Sequence, residues 1–522
     1  MKKIEIFDTT LRDGSQGAGI SFTLEDKLKI TRALDNFGVQ YIEGGWPGSN
    51  PKDELYFKEA AKLKLKNSKL VAFGSTRHKA NKAHRDPTLL AQVRSKARVA
   101  CIFGKTWDLH VIHALRATHE DNLKMISDSV AFLKSKRLEV IYDAEHFFDG
   151  LTSNPEYALA TVKAAADAGA DCITLCETNG GKLPNEIKLM VRAVRNKLPG
   201  AKLGIHTHND SDCAVANSIV AVEEGCTHVQ GTVNGLGERC GNANLCSIIP
   251  ALQLRLGYSC VPAKNLAMLS DLSRYIDEVA NILPNENQPY VGKNAFAHKA
   301  GIHVSAMARH ASTYEHMSPA AVGNERRVLI SELSGKSNVA FKSKQMTLDF
   351  EKDPAAMKKV MDAVKKYEND GYMFEDADGS FALVANKALG KHKPYFELKS
   401  FRVTVERNTL GEMVSEATIR LDVNGKEEHT VAQGDGPVNA LDGCLRKALV
   451  KFYPQIKEVS LRDFKVRVID GGTGTAAKVR VFIESRDSES SWGTIGVSEN
   501  IIEASWKALV DGIEYKIMKS GK

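Results

Sequence analysis

Short apolar runs recur through the first half of the chain, and longer segments with a helical spacing of apolar residues separate them. The runs are three to five residues long and rich in β-branched side chains. This pattern is typical of strands buried on both faces of a parallel sheet. We therefore predict eight parallel strands. They lie at Ile4–Phe7, Val39–Ile42, Leu70–Phe73, Val99–Phe103, Leu138–Tyr142, Cys172–Leu175, Leu203–Ile205 and Thr227–Gln230.

The segments between these runs carry signals for the start of a helix. Thr23 stands three residues before Asp26, which resembles a capping box, and it opens the amphipathic segment Leu24–Phe37. Asn154 followed by Pro155 supplies a helix cap and then a proline in the first turn. Both signals predict helices that connect consecutive strands.

Eight strands that alternate with helices, about 25 to 40 residues apart, favour an α/β fold closed into a parallel barrel. A doubly wound open sheet is the alternative. The candidate chemical residues described below follow strands one, five, six, seven and eight, whereas an open sheet would concentrate them at its switch point. We therefore predict a (β/α)8 catalytic (TIM) barrel over residues 1–260.

The pattern changes after residue 260. Helical segments at Asn265–Leu283 and Pro354–Glu368 surround a stretch over residues 292–316 that is rich in glycine and histidine. This pattern indicates a small connecting region instead of a second large core. We predict helical connecting subdomains over residues 261–395 that contribute to the active site.

The last 125 residues or so contain an internal repeat. Ala417–Leu421 matches Ala477–Val481 sixty positions later, and Gly436 matches Gly496 at the same offset. Each copy is interpreted as paired strands, a glycine turn and a helix, which predicts a C-terminal α+β regulatory domain over residues 396–522. From the repeat alone, a dimerisation module and a small-molecule sensor between the copies are equally good interpretations.

Composition narrows the class of protein. The chain has 522 residues, of which 43% are hydrophobic, and a formal charge of +7 from 71 basic and 64 acidic side chains. That small excess favours anionic ligands only weakly and does not suggest a nucleic-acid-binding protein, so no nucleic-acid partner is expected. Runs of the roughly 18 apolar residues that a membrane helix needs are absent from the sequence, and the N-terminus lacks the apolar core of a signal peptide. The nine scattered cysteines suggest reduced thiols, so we expect a cytoplasmic protein without a membrane partner.

Two histidines mark the end of predicted strand seven. His206 and His208 are two positions apart, so alternation along a strand places both imidazoles on one side. Asp13 follows strand one directly after Arg12, and Asn242 stands in the glycine-rich segment after strand eight. Asp13, His206, His208 and Asn242 form a donor set of oxygen and nitrogen that suits Mg²⁺, Mn²⁺ or Zn²⁺. An ion pair in a turn is the alternative interpretation of Arg12 and Asp13.

Further polar residues are predicted at the same mouth. Glu145 follows strand five and Thr178 follows strand six, although a solvated carboxylate and a turn hydroxyl are the simpler alternatives. Glu145 could act as a general acid or base and Thr178 could bind a carboxylate. His303 is a candidate acid or base in the histidine-rich region, and Tyr314 lies further along it. Their positions in the sequence do not place either residue near the barrel.

Taken together, the motifs resemble those of the Claisen-condensing branch of the DRE-TIM metallolyase superfamily, which contains isopropylmalate, homocitrate and citramalate synthases. The resemblance covers nearly the whole chain. The motifs are Thr10–Gly14, His206–Asn209, Gly237–Asn242, Ala297–His303, Leu333–Ser337 and, in the regulatory repeat, Gly434–Val438. Within the branch, Ile42–Pro51 looks most like the long citramalate synthases, because isopropylmalate synthases carry a different Glu-x-Gly-Phe-Pro version there.

The resemblance implies an acyltransferase that converts the acyl group to an alkyl group on transfer. It implies that a divalent metal is bound by Asp13, His206, His208 and Asn242, that acetyl-CoA is the co-substrate, and that pyruvate is the keto acid. Arg12 would contact the keto oxygen and Thr178 the carboxylate. The remaining catalytic positions would be Glu145, His303 and Tyr314.

The resemblance also implies a homodimer in which the histidine-bearing segment reaches the barrel of the neighbouring subunit. Feedback by isoleucine is expected, with glycines at 434–436 and 471–474 as candidate lining. The small pocket that pyruvate needs could be closed by Trp46 or Tyr142. Three rival functions stay open: a 2-isopropylmalate synthase using 2-oxoisovalerate, an acyl-CoA lyase of the same superfamily, and a non-catalytic amino-acid sensor.

Overall fold

The computed structural model describes residues 2–330, 336–346, 348, 350, 353–407, 409, 411–469 and 477–521. It forms two compact units, Met1–Phe296 with Met317–Glu325, and Ala297–His316 with Arg326–Lys522. Residues 333–335 of the motif Leu333–Ser337 and the glycines at 471–474 lie outside the described residues.

The first unit contains the predicted closed barrel of eight parallel strands. Strand β1 pairs with both β2 and β8, which closes the ring. Each predicted apolar run overlaps one strand, so the prediction of fold class is confirmed. The strands are β1 (Glu5–Asp8), β2 (Tyr41–Gly45), β3 (Lys69–Ser75), β4 (Val99–Lys105), β5 (Glu139–Glu145), β6 (Cys172–Glu177), β7 (Leu203–Thr207) and β8 (His228–Gly231).

Helices connect the strands, and the two predicted caps are present. The Thr23 side chain accepts from the Asp26 backbone N–H at 3.2 Å, and the Asn154 side chain accepts from the Tyr157 N–H at 3.2 Å. The helices are α1 (Leu24–Phe37), α2 (Pro51–Ala60), α3 (Pro87–Arg94), α4 (Asp108–His110), α5 (His119–Ser135), α6 (Phe147–Ser153), α7 (Pro155–Asp167), α8 (Pro184–Lys197), α9 (Ala214–Glu223), α10 (Leu245–Pro250) and α11 (Leu269–Ala280).

Successive residues of each strand face opposite sides of the barrel wall. Along β1, Ile6 packs in the cluster that joins strands to helices, whereas Phe7 packs in a separate buried cluster. This second cluster fills the lumen, as a closed eight-stranded barrel requires. It consists of Phe7, Tyr41, Val71, Phe73, Val99, Cys101, Ile141 and Cys172. An apolar floor therefore lies below the carboxyl ends of the strands.

A buried ion pair shapes the turn after β2. Lys27 Nζ donates to Asp53 Oδ1 at 2.6 Å and to the Gly44 carbonyl at 3.0 Å. Asp53 also accepts from the Trp46 N–H at 3.0 Å. Gly45 has φ of 145°, and a Cβ there would lie 2.6 Å from the Asp53 carboxylate. Helices α1 and α2 thus hold Trp46 in place through one carboxylate.

The second unit begins with a two-stranded parallel sheet, β9 (Ala297–His298) and β10 (Arg327–Val328). Four helices accompany it. The last three share a core around Phe374 and Phe381, whereas the first packs through Val304 and Met307 against Val328. These helices agree with the helical character predicted for this part of the chain. They are α12 (Gly301–Arg309), α13 (Lys336–Gln345), α14 (Pro354–Asn369) and α15 (Asp378–Ala388).

The C-terminal repeat is present, with one correction. Each copy contains three antiparallel strands before its helix instead of the predicted pair, because the first strand of each copy precedes the matching sequence. Both copies contribute to a single buried cluster around Leu421 and Ile483. The elements are β11 (Glu397–Arg407), β12 (Met413–Val423), β13 (Lys426–Gly434), α16 (Pro437–Leu449), β14 (Ser460–Val468), β15 (Val479–Arg486), β16 (Ser491–Ser498) and α17 (Ile501–Lys519).

None of the helices in the described part of the chain combines the length and the apolar composition needed to cross a membrane.

The buried pair predicts a large stability effect. Lys27→Met should lower the free energy of unfolding by about 3 kcal/mol, because Asp53 is left buried without its cation. The midpoint of urea unfolding, followed by circular dichroism, measures this. Lys29→Met is the matched control on the same helix, since Lys29 forms only an exposed pair with Glu25. Equal shifts in the two variants would contradict the assignment.

Candidate active site

Asp13, His206 and His208 meet at the carboxyl end of the barrel. His206 Nε2 lies 3.2 Å from His208 Nε2 and 3.4 Å from Asp13 Oδ2, and all three side chains are buried. One ligand atom from each residue lies within 4.8 Å of the others. The predicted juxtaposition of the two imidazoles and the carboxylate is therefore observed, and the group could hold a metal ion.

A hydrogen-bond relay fixes the tautomer of His206. Gln230 Nε2 donates to Asp143 Oδ1 at 2.8 Å, which turns the Gln230 Oε1 towards His206 Nδ1 at 2.9 Å. An amide oxygen only accepts, so His206 carries its proton on Nδ1. The lone pair of Nε2 then points into the group of ligands. Such outer partners orient metal-binding histidines.

The charge states also suit a cation. Burial lowers the pKa of His208 to about 3, with His206 acting in the same direction. Burial opposes ionisation of Asp13, but Arg12 and both histidines outweigh it and hold the pKa of that carboxyl below its usual value. At neutral pH the site thus presents a neutral imidazole and a carboxylate, the forms that bind metals.

Asn242 adjoins the same group. It forms a backbone bridge to His208, and its Nδ2 donates to the Leu236 carbonyl at 3.1 Å. Its Oδ1 is buried without a hydrogen-bond partner in the described part of the chain. An unpaired buried carbonyl is costly and fits an additional oxygen ligand. The donors are oxygen and imidazole nitrogen, which suits Mg²⁺, Mn²⁺ or Zn²⁺.

Arg12 is fixed beside these ligands. Its Nε donates to Glu43 Oε2 at 2.7 Å, and its Nη1 lies 3.2 Å from Asp13 Oδ2. Its guanidinium carbon lies 3.8 Å from the centre of the Phe73 ring. Thr9 also donates to Glu43 Oε2 at 2.5 Å. The Arg12 guanidinium is therefore held in place by Glu43, Asp13 and Phe73 before any substrate binds.

A cavity of about 250 Å³ opens over the group. Trp46, Phe73 and Phe103 form its apolar wall, with ring centroids 5.4 to 5.8 Å apart. Of the two residues expected to close the pocket, Trp46 lines this cavity, whereas Tyr142 is fully buried in the barrel and does not line it. The polar lining comprises Arg12, Asp13, Gln16, Asp143, Glu145, Thr178, His206, His208, Glu238 and Arg239.

Glu145 and Thr178 both reach this cavity from β5 and the end of β6. Glu145 forms an ion pair with Lys105 of β4. The Thr178 hydroxyl accepts from the His146 N–H at 2.9 Å, which leaves its own proton to donate. The ion pair between Arg239 and Asp210, at 2.8 Å, closes the rim beside them.

His303 and Tyr314 belong to the second unit. Their rings stack with centroids 4.0 Å apart and an interplanar angle of 25°. The family resemblance implied that both residues are catalytic, and the structure brings their two side chains together. Their part in the barrel's chemistry stays a prediction.

Three buried polar residues at this site were missed from the sequence, namely Glu43, Asp143 and Gln230. A signal was present, because each stands at or directly after the last residue of a predicted apolar strand. In a parallel barrel that position faces the mouth. A polar residue there is better explained by the site than by the core.

Family comparisons agree with this architecture. The HMGL-like family matches residues 3–276, which include the barrel. The homocitrate synthase post-HMGL domain-like family matches residues 290–371. The LeuA allosteric (dimerisation) domain matches residues 375–517, which include the repeat.

Full-length relatives specify the family further. An (R)-citramalate synthase of Geobacter sulfurreducens is 55% identical over 522 residues, covering 100% of this chain and 98% of that protein. Another, from Aquifex aeolicus, is 51% identical over 99% of this chain and 98% of that protein. The chain belongs to the (R)-citramalate synthase family. A 2-isopropylmalate synthase of Shouchella clausii is more distant, at 33% identity over 99% of this chain and 98% of that protein.

The relay predicts a defect in metal binding. Gln230→Leu should weaken Mn²⁺ binding by about 10- to 100-fold, because His206 loses the partner that fixes its tautomer. Titration of free Mn²⁺ by electron paramagnetic resonance measures the affinity.

Gln92→Leu is the control for this experiment. The Gln92 amide is also buried, but it donates to the carbonyls of Ala72 and Cys101. Its loss should leave Mn²⁺ affinity unchanged. A Gln230 variant that binds Mn²⁺ like the native protein would rule out the relay.

Proposed function

We propose that the protein condenses acetyl-CoA with pyruvate and water to give (R)-citramalate and CoA, a step in isoleucine biosynthesis. Full-length identity of 55% with an (R)-citramalate synthase carries the proposal. The site is consistent with it. A cavity of about 250 Å³ suits a small keto acid, and it is lined by Arg12, Thr178 and three of the candidate metal ligands, Asp13, His206 and His208.

The keto acid would be oriented by residues of the barrel. Arg12, oriented by Glu43 and Phe73, would stabilise the oxyanion that develops from the keto oxygen. The Thr178 hydroxyl would donate to the carboxylate of the keto acid. A divalent cation, Mn²⁺ or Mg²⁺ with Zn²⁺ as a third candidate, bound by Asp13, His206, His208 and Asn242, would supply Lewis-acid polarisation of the keto group.

Carbon–carbon bond formation also needs removal of a proton from the acetyl methyl group. We assign His303 as the acceptor, with Tyr314 stacked on it and Glu145 assisting from the barrel. The match to a dimerisation domain supports a homodimer, in which we propose that His303 and Tyr314 serve the barrel of the neighbouring subunit. Isoleucine is proposed as the effector of the C-terminal domain.

The reaction is tested by following release of free CoA thiol. Purified protein is mixed with acetyl-CoA, Mn²⁺ and either pyruvate, 2-oxobutyrate, 2-oxoisovalerate or 2-oxoglutarate. We expect a clear preference for pyruvate that EDTA abolishes. A preference for 2-oxoisovalerate would instead indicate isopropylmalate synthesis. Absence of thiol release with every keto acid would favour the lyase or the amino-acid sensor.

The aromatic wall predicts how selectivity can change. Trp46→Ala enlarges the cavity, so the ratio of kcat/KM for 2-oxoisovalerate to that for pyruvate should rise about tenfold or more. Trp107→Ala is the control, since Trp107 stacks on His110 and does not line the cavity. An unchanged ratio in the Trp46 variant would show that other residues limit substrate size.

A further inference from the structure

The last peptide group of β5 is held by a threonine on either side. This group joins Glu145 to His146. Its carbonyl accepts from the Thr106 hydroxyl at 2.6 Å and from the Thr106 N–H at 3.3 Å, and its N–H donates to the Thr178 hydroxyl at 2.9 Å. Thr106 and Thr178 directly follow β4 and β6. The end of β5 is therefore fixed between its two neighbouring strands, and one contact is made to a candidate substrate-binding hydroxyl.

Backbone strain marks the residue that follows this peptide group. His146 has φ of 56° and ψ of 32°, in the left-handed region that residues with a Cβ adopt only at a cost. Phe147 and Phe148 come next and are fully buried among the residues that join strands to helices. Helix α6 then passes so close to the segment after β4 that a Cβ at Gly150 would lie 2.5 Å from the Thr106 carbonyl. The chain therefore has to turn sharply at His146.

The ring of His146 supplies contacts that stabilise this turn. Its Nδ1 lies 3.1 Å from Asp149 Oδ2, and because a carboxylate only accepts, Nδ1 is the donor. The ring centroid lies 4.3 Å from that of His110. The residue is only 9% exposed and does not line the cavity over the candidate metal ligands. Any effect of His146 on a substrate in that cavity must therefore pass through its neighbours.

Asp149 extends this arrangement to the residue after Thr178. Its Oδ2 also accepts from Asn179 Nδ2 at 2.8 Å. His146 therefore reaches the segment after β6 twice, directly through its N–H to Thr178 and indirectly through Asp149 to Asn179. Because the Thr178 oxygen accepts from His146, the hydroxyl keeps its own proton for a group in the cavity.

We propose that His146 is a positioning residue for the keto acid, and that its left-handed turn orients the Thr178 hydroxyl towards the carboxylate of pyruvate. Strained backbone persists only where the surrounding contacts over-determine it, and such positions are concentrated at functional sites. Here the contacts are the hydrogen bond to Asp149 and the packing against His110. This inference rests on the proposed function and adds a residue outside the cavity that determines affinity for the keto acid.

Two substitutions test the turn. His146→Val should raise KM for pyruvate about tenfold, because a β-branched residue disfavours the left-handed region and the hydrogen bond from Thr178 to the carboxylate is weakened. His146→Asn should keep a KM close to the native value, since asparagine adopts this region readily and retains a donor for Asp149. KM for acetyl-CoA should change in neither variant. Equal rises in KM for pyruvate in the two variants would overturn the inference.

A Thr178→Val background separates positioning from a general structural effect, because no hydroxyl is left to orient. Thr178→Val alone should raise KM for pyruvate about tenfold, through loss of a hydrogen bond to a charged group. Adding His146→Val should then raise KM no further, since both substitutions act through the same contact. A general structural defect would multiply the two effects, and that result contradicts the positioning role.

Arg137→Val is the matched control for strain. Arg137 is exposed and has φ of 62°, and it lies just before β5, at the opposite end of the strand from His146. The same unfavourable side chain is thus placed far from the mouth, and KM for pyruvate should stay at the native value. A rise equal to that of His146→Val would overturn the inference. If His146→Val does not fold, as circular dichroism will show, His146→Ala replaces it in every comparison, because alanine also disfavours the turn.

Pyruvate binding without acetyl-CoA keeps the test independent of catalysis. Titration calorimetry of pyruvate into the protein with Mn²⁺ should give a Kd that is about tenfold higher for His146→Val than for the native protein or Arg137→Val. If the native protein shows this difference yet releases no thiol, the proposed reaction fails while the role of His146 stands. Equal affinity of the native protein and His146→Val, or no binding to the native protein, overturns that role whatever the activity.

Discussion

A guanidinium inside a closed barrel stays charged at little cost only when anions and aromatic faces replace its water. Arg12 meets this requirement through Glu43, Asp13 and the face of Phe73. Burial raises the pKa of Glu43, and the positive charge of Arg12 opposes that shift. The mouth of the barrel depends on this pairing, because Asp13 is in turn the carboxylate that approaches His206.

The ion pairs of Arg12 with Glu43 and Asp13 are strengthened by the apolar layer below them, which excludes water. Phe7, Val71 and Ile141 belong to the apolar cluster that fills the lumen. Polar groups above that floor must satisfy one another, and Gln230 does so by linking Asp143 to His206. Hydrogen bonding in such a site is cooperative and fixes orientation. The candidate metal ligands, the Arg12 guanidinium beside them and the polar lining of the cavity are thus one connected layer.

Periodicity and strand composition were enough to predict the barrel, because runs such as Val99–Phe103 have few other stable placements. The grouping of the candidate metal ligands was predictable from alternation at the end of β7 together with Asp13. Glu43, Asp143 and Gln230 were missed although each stands at the end of a predicted strand, and the hydrogen bonds that they form with Arg12, Gln230 and His206 could not be predicted without the structure. The extra strand in each C-terminal copy was missed because β11 and β14 are mostly exposed and lack an apolar run.

The aromatic wall and the ligands come from different parts of the ring. Trp46, Phe73 and Phe103 stand at the ends of β2, β3 and β4, whereas Asp13 follows β1 and the histidines lie at the end of β7. Substitution of Trp46 or Phe103 can therefore reshape the wall while Asp13 and the two histidines stay in place. Because the two sets of residues are separate, an enzyme family can change its substrate preference through single substitutions in the wall, and each successive variant can remain active.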